Sequence, residues 1–280
     1  GGKLTLQANE AQIASLTSHG DASLSVTGAL VADQFGGDAA VKVSARSAQL
    51  TGLKAGGDAS IVVAEAAAVT GQVGGALELQ AQRIDVGSLS VGGKSQLLAQ
   101  ADLKLDGFVG KQAAVLQGLD VQLVKASFDD SLALKASTLT VGGVQAGAAT
   151  LSVTGAVKGD GLSAGKLALQ SDSLQLKQLA VAGDADLQVK AGLAIETARV
   201  AGSLTASAAD QDYGLLTVGR DANLRASGSL HASRIEVGGA LDAQAARMEL
   251  GSTGLVKPQD DTVVPGVAVT GTVKLAADSL

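Results

Sequence analysis

The chain has 280 residues, 37 of them Gly and only 2 Pro, with no Cys and a formal net charge of -6. That acidic balance argues against nucleic acid, heparin-like polyanions and anionic membrane as main partners, because each is bound by clustered Lys and Arg. No apolar run reaches the roughly 18 residues that span a bilayer, so no membrane insertion is expected. Hydrophobic residues make up 46% but aromatics only 1%, so any core must be built from Ala, Val, Leu and Ile.

Read from the start, the chain repeats itself. Gly2, Gly20, Gly37, Gly57, Gly75, Gly93, Gly110, Asp130, Gly147, Gly165, Gly183, Gly202, Arg220, Gly239 and Gly271 serve as anchors. Thirteen of the fourteen intervals between them are 17 to 20 residues long. Self-similarity at this period signals a solenoid or array. After each anchor the second, fourth and sixth positions are apolar almost throughout. The fourth runs Leu6, Leu24, Val41, Ile61, Leu79, Leu97, Ala114, Leu134, Leu151, Leu169, Leu187, Ala206, Leu224, Ala243 and Leu275. Polar residues such as Lys3, Thr5 and Gln7 alternate with them, which is the pattern of a strand with one buried face.

Helix is the competing reading, since Ala, Leu, Gln and Lys are good helix formers. The alternation and the recurrent Gly both oppose it. A unit of this length holds two or three short strands with turns, each able to pair with its counterpart one coil away. The expected fold is all-β: a right-handed parallel β-helix of about 15 coils, roughly 18 residues per coil. Right-handedness is favoured over a left-handed prism because the apolar positions bunch in triplets and the coil length varies. A second apolar column stands two residues before the anchors and takes in Phe35, Phe108 and Phe128. Phe108 and Phe128, on successive coils, are expected to stack.

Two stretches break the rhythm. Residues 207–216, with Asp210, Asp212 and the single Tyr213, read as a small bulge. Residues 252–266, with Pro258, Pro265, Asp260 and Asp261, read as an inserted loop. Loops that leave a regular stack can carry recognition, so Asp210, Asp212, Tyr213, Asp260 and Asp261 are the candidate binding residues, against the simpler reading of tolerated insertions. Residues 1–280 otherwise form a single shaft segment. The chain starts and stops within repeats and carries no signal-peptide pattern, so a piece of something longer is expected.

Catalytic constellations are weak. His19 and His231 are far apart and lie in polar stretches, as solvated surface histidines do. Asp21, Asp38, Asp58, Asp184 and Asp221 recur beside the corner glycines, where a carboxylate accepting local backbone N–H bonds is the expected role. The pairs Gly36-Gly37-Asp38 and Gly56-Gly57-Asp58 lack the spacing of calcium-binding nonapeptides. No Gly-rich loop leads into a helix as a phosphate cradle would. No catalytic residue, metal site or cofactor is expected.

The phrases LSVGG at Leu89–Gly93, LTVGG at Leu139–Gly143, LAVAGD at Leu179–Asp184 and IEVGG at Ile235–Gly239 resemble the repeat region of filamentous haemagglutinin, a family of large bacterial adhesins exported by two-partner secretion. Shafts of contact-dependent growth-inhibition toxins use similar repeats. The resemblance implies a non-enzymatic shaft, secreted or on the bacterial surface. It also implies export through an outer-membrane two-partner-secretion transporter, and host-cell receptors or glycans as partners of the full-length protein. The lack of Cys suits a chain that crosses the outer membrane unfolded. The alternatives kept open are the stalk of a contact-dependent growth-inhibition toxin and, in another class, a β-helical polysaccharide lyase or hydrolase, which would need carboxylates or bases gathered on one face.

Overall fold

The computed structural model describes residues 2–251 and 266–279. Among them are thirty strands and no helix. The strands stack in parallel as a β-solenoid of about 14 turns with roughly 18 residues per turn. The turn count falls one below the sequence expectation because fifteen anchors enclose fourteen intervals. Two compact units make up the chain: one is Gly1–Leu139 with Gly143–Gly147, the other Thr140–Gly142 with Ala148–Leu280.

In the first unit several coils carry a five-residue strand and a longer one that turns a corner, while others divide the longer one in two, as at Ala29–Ala32 with Phe35–Gly37 and at Asp102–Asp106 with Phe108–Gly110. Undivided examples are Val41–Ala45 with Ser47–Ala55, Ala59–Val63 with Ala66–Val73, and Leu77–Ala81 with Arg83–Val91. The short strands hold the apolar triplets. Their parallel register places Leu24, Val43, Ile61, Leu79, Leu97, Leu116 and Leu134 in one file, and every member is buried. Burying one such side chain is worth about 1.5–3 kcal/mol, so the file is a main source of cohesion between coils.

That register corrects two of the anchors. Leu24 pairs with Val43, not Val41, and Leu97 pairs with Leu116, not Ala114. Gly37 and Gly110 are therefore strand residues two places ahead of the corner, within Phe35–Gly37 and Phe108–Gly110. The phenylalanine column changes with it. Phe108 pairs with Leu89, whereas Phe128 pairs with Gly110, so the two rings occupy adjacent columns. They still touch, with centroids 5.5 Å apart and planes tilted by 37°. Gly110 makes room: a Cβ there would sit 3.1 Å from Phe108 and 3.6 Å from Phe128.

In the second unit the files continue the same scheme. Leu167, Ala185, Leu204, Ala222, Leu241 and Val273 form one, and Leu169, Leu187, Ala206, Leu224, Ala243 and Leu275 its neighbour. Residues 207–216 do not bulge. Leu204–Ala208 and Asp210–Val218 are regular strands, the latter paired with Gly192–Val200 on one side and Ser229–Val237 on the other. The 252–266 insertion lies outside the described residues except for Gly266.

The corner glycines answer to close approach. None of the anchors has positive φ. A Cβ on Gly75, Gly202 or Gly239 would collide with the carboxylate of Asp58, Asp184 or Asp221 from the preceding coil, and with backbone beside it. These carboxylates accept the backbone N–H of Ala76, Ser203 and Ala240, each at 2.8 Å. The sequence reading expected local bonds. The actual donors lie one coil onward, so each aspartate fastens its own corner to the next.

Candidate functional site

The outward side chains of the second unit build one polar groove. Five strands contribute: Ala156–Ser171, Ser173–Val181, Gly192–Val200, Asp210–Val218 and Ser229–Val237. Each turns a corner at a single residue that the ladder skips, namely Asp160, Lys177, Glu196, Gly214 and Ser233. Two positions earlier stand Lys158, Gln175, Ala194, Asp212 and His231, which are register partners in succession. Between these outward rows Leu176, Ile195, Tyr213 and Ala232 point inward. The outer surface is consequently concave, enclosing about 620 Å³ along the stack.

Charge alternates along one wall, from Asp160 through Lys177 to Glu196, while the other runs Lys158, Gln175, Ala194, Asp212 and His231. Lys177 Nζ lies 2.6 Å from Asp160 Oδ1. The hydrogen bond and charge of Asp160 raise the Lys177 ammonium above its ordinary pKa, and Glu196 adds to the effect. His231 Nδ1 lies 2.7 Å from Asp212 Oδ1. An ionised carboxylate only accepts, so this contact puts the ring proton on Nδ1 and leaves Nε2 as the second polar atom of the imidazole. The next partner of His231 is Glu249.

The sequence candidates separate. Asp210 is a corner residue whose Oδ1 accepts from Ser229 N at 2.8 Å and from Ser229 Oγ at 2.6 Å. Those bonds, the hydroxyl one foremost, lower its pKa. Asp212 lines the groove. Tyr213 is wholly buried, with its hydroxyl donating to Gln211 Oε1 at 3.1 Å, while Gln211 Nε2 donates to the carbonyls of Ala206 and Arg225. Burial pushes the phenol pKa up. It was expected on a loop and is a core residue, because position 213 falls in file with Ile195 and Ala232. Asp260 and Asp261 lie outside the described residues. The three described candidates thus form no common site.

Sequence reasoning missed Lys158, Asp160, Gln175, Lys177, Glu196 and Ser233 as a group. Their signal was phase alone: outward positions on either side of one corner, repeated coil after coil. The other histidine, His19, pairs with Asp38 at 3.1 Å. Nine of the ten close contacts between a basic and an acidic side chain among the described residues likewise join successive coils, Arg234–Glu236 being the exception. Exposed pairs of this kind contribute about 0–1 kcal/mol each, so they fix register more than they stabilise.

A second depression, in the first unit, encloses about 730 Å³ and runs past Lys42, Ser60, Glu78, Gln96 and Val115, with Val115 46% exposed. Its wall lacks the paired charges of the other groove. Among the described residues no three His, Asp or Glu side chains are grouped to hold a metal ion. Comparison with family models, curated proteins and solved structures finds no match for this chain.

Proposed function

We propose that this chain is a non-enzymatic shaft segment of a large bacterial adhesin, secreted or held at the cell surface, which displays binding regions for host-cell receptors or glycans. One observation supports this most: the inward files are aliphatic at nearly every position, and each coil bonds only to its neighbours. Such a sequence is suited to propagating a stack, and multivalent display raises avidity without a strong single site. The haemagglutinin-like phrases support the same reading, including export through a two-partner-secretion transporter.

The test is a surface-displayed full-length protein in which the coils of this segment outside the Lys158–Ser233 groove are replaced by solenoid coils of equal number with unrelated outward residues. Attachment to host cells is expected to persist. Attachment lost with coil number preserved would contradict the shaft reading.

A second reading, a glycan-processing enzyme, is favoured by the Asp212–His231 pair in a groove that also holds Asp160, Glu196 and two lysines. A histidine oriented by a carboxylate is the arrangement of a general base. Turnover of a uronate polysaccharide by the chain, abolished by His231→Ala, would establish it.

A further inference from the structure

The geometry points to the Lys158–Ser233 groove as a binding site for an extended, uncharged polysaccharide chain lying along the stack. This rests on the adhesin reading and assigns it a ligand class and a location. The groove crosses five coils, and stacked strands advance about 4.8 Å each. A pyranose in an extended glycan advances by a similar step, so successive sugars meet equivalent places on successive coils.

The lining selects the chemistry. Lys158, Lys177 and the amide of Gln175 donate, while Asp160, Glu196 and Asp212 accept, and Lys177 and Asp160 also bond each other. Sugar hydroxyls both donate and accept, so a polyol satisfies both kinds of group. A polyanion would face Asp160, Glu196 and Asp212, and a polycation Lys158 and Lys177. An extended peptide adding as a strand would need a continuous run of free backbone groups, whereas the ladders between coils leave out only the single corner residue of each coil. Ala194 and Gly214 are small and keep the middle of the groove open.

Calorimetric titration of the chain with neutral hexasaccharides (cellohexaose, maltohexaose and chitohexaose) tests this, with a polygalacturonate hexamer as the charged control. At least one neutral hexamer is expected to bind, with affinity at least tenfold weaker in Ala194→Trp, which obstructs the middle of the groove from an outward position. Glu196→Gln, which keeps the shape, is expected to weaken binding less. Circular dichroism confirms that both variants fold, and Gln175→Ala replaces Ala194→Trp if that variant does not. The proposal is overturned if no neutral hexamer binds, if binding survives the groove variants unchanged, or if the uronate is preferred. These results leave the shaft reading standing, since that is decided by attachment with exchanged coils.

Discussion

Phe108 and Phe128 face each other at 5.5 Å although they are two residues out of register. The space between their columns exists because Gly110, the register partner of Phe128, has no side chain. Gly110→Val is therefore expected to overpack this layer and cost about 1–3 kcal/mol. Phe128→Ala alone should cost about 3–5 kcal/mol through the cavity it leaves. Combined, the two changes should cost less than their sum, because valine partly refills the cavity. Denaturant melts of the four proteins measure this coupling, and strict additivity would show that the residues do not share one space.

Lys125 has φ of 49°. Gly52, Gly107 and Gly143 in the same unit occupy similar left-handed conformations, with φ of 67°, 74° and 69°. A side chain pays a steric penalty there that glycine avoids. Lys125→Gly is accordingly expected to stabilise the protein by about 0.5–1 kcal/mol, seen as a higher midpoint at unchanged denaturant slope. A lower midpoint would mean that the lysine side chain contributes more than the strain it bears.

Acid should loosen the second unit at identifiable places. Hydrogen bonds from Ser229 hold Asp210 below its ordinary pKa of 3.8, and the hydrogen bond from Arg225, 2.7 Å away, does the same for Asp242. A depressed folded pKa contributes stability that is present above the unfolded value and lost as pH falls through the folded one. Thermal melts are expected to be flat from pH 7 to about 5, then to fall below about pH 4. Asp242→Ala should start lower and fall less steeply. An identical slope in that variant would remove Asp242 from the account.

Much of the fold was legible because one physical constraint, an inward face stacked on copies of itself, repeats at every coil. Leu79 and Leu97 could be aligned from spacing alone, and so could the corner residues Gly57 and Gly75. The two-residue slips at Gly37 and Gly110 were not legible, since a glycine at a corner and a glycine facing inward look the same in a string of letters. Tyr213 misled for a related reason. Its polar neighbours Asp210 and Asp212 suggested a loop, while its distance from Ile195, one coil earlier, placed it inside beside Gln211. The corner aspartates were found by their recurrence, but their partners one coil away depend on how coils abut. The groove arises the same way: Lys177 and His231 are far apart in sequence and belong to one surface only after the stack exists.

Removing one whole coil probes the stacking account more directly than any substitution. Deleting residues 185–203 takes out one coil of 19 residues and brings Leu167 against Leu204, keeping every inward file in phase. Nearest-neighbour energetics then predict a folded protein with unchanged strand signal and a melting temperature lower by no more than about 5 °C. Deleting residues 185–193, half a coil, should instead abolish cooperative melting, because the five-residue strand is lost and the files fall out of step. Equal damage from both deletions would contradict an architecture held together coil on coil.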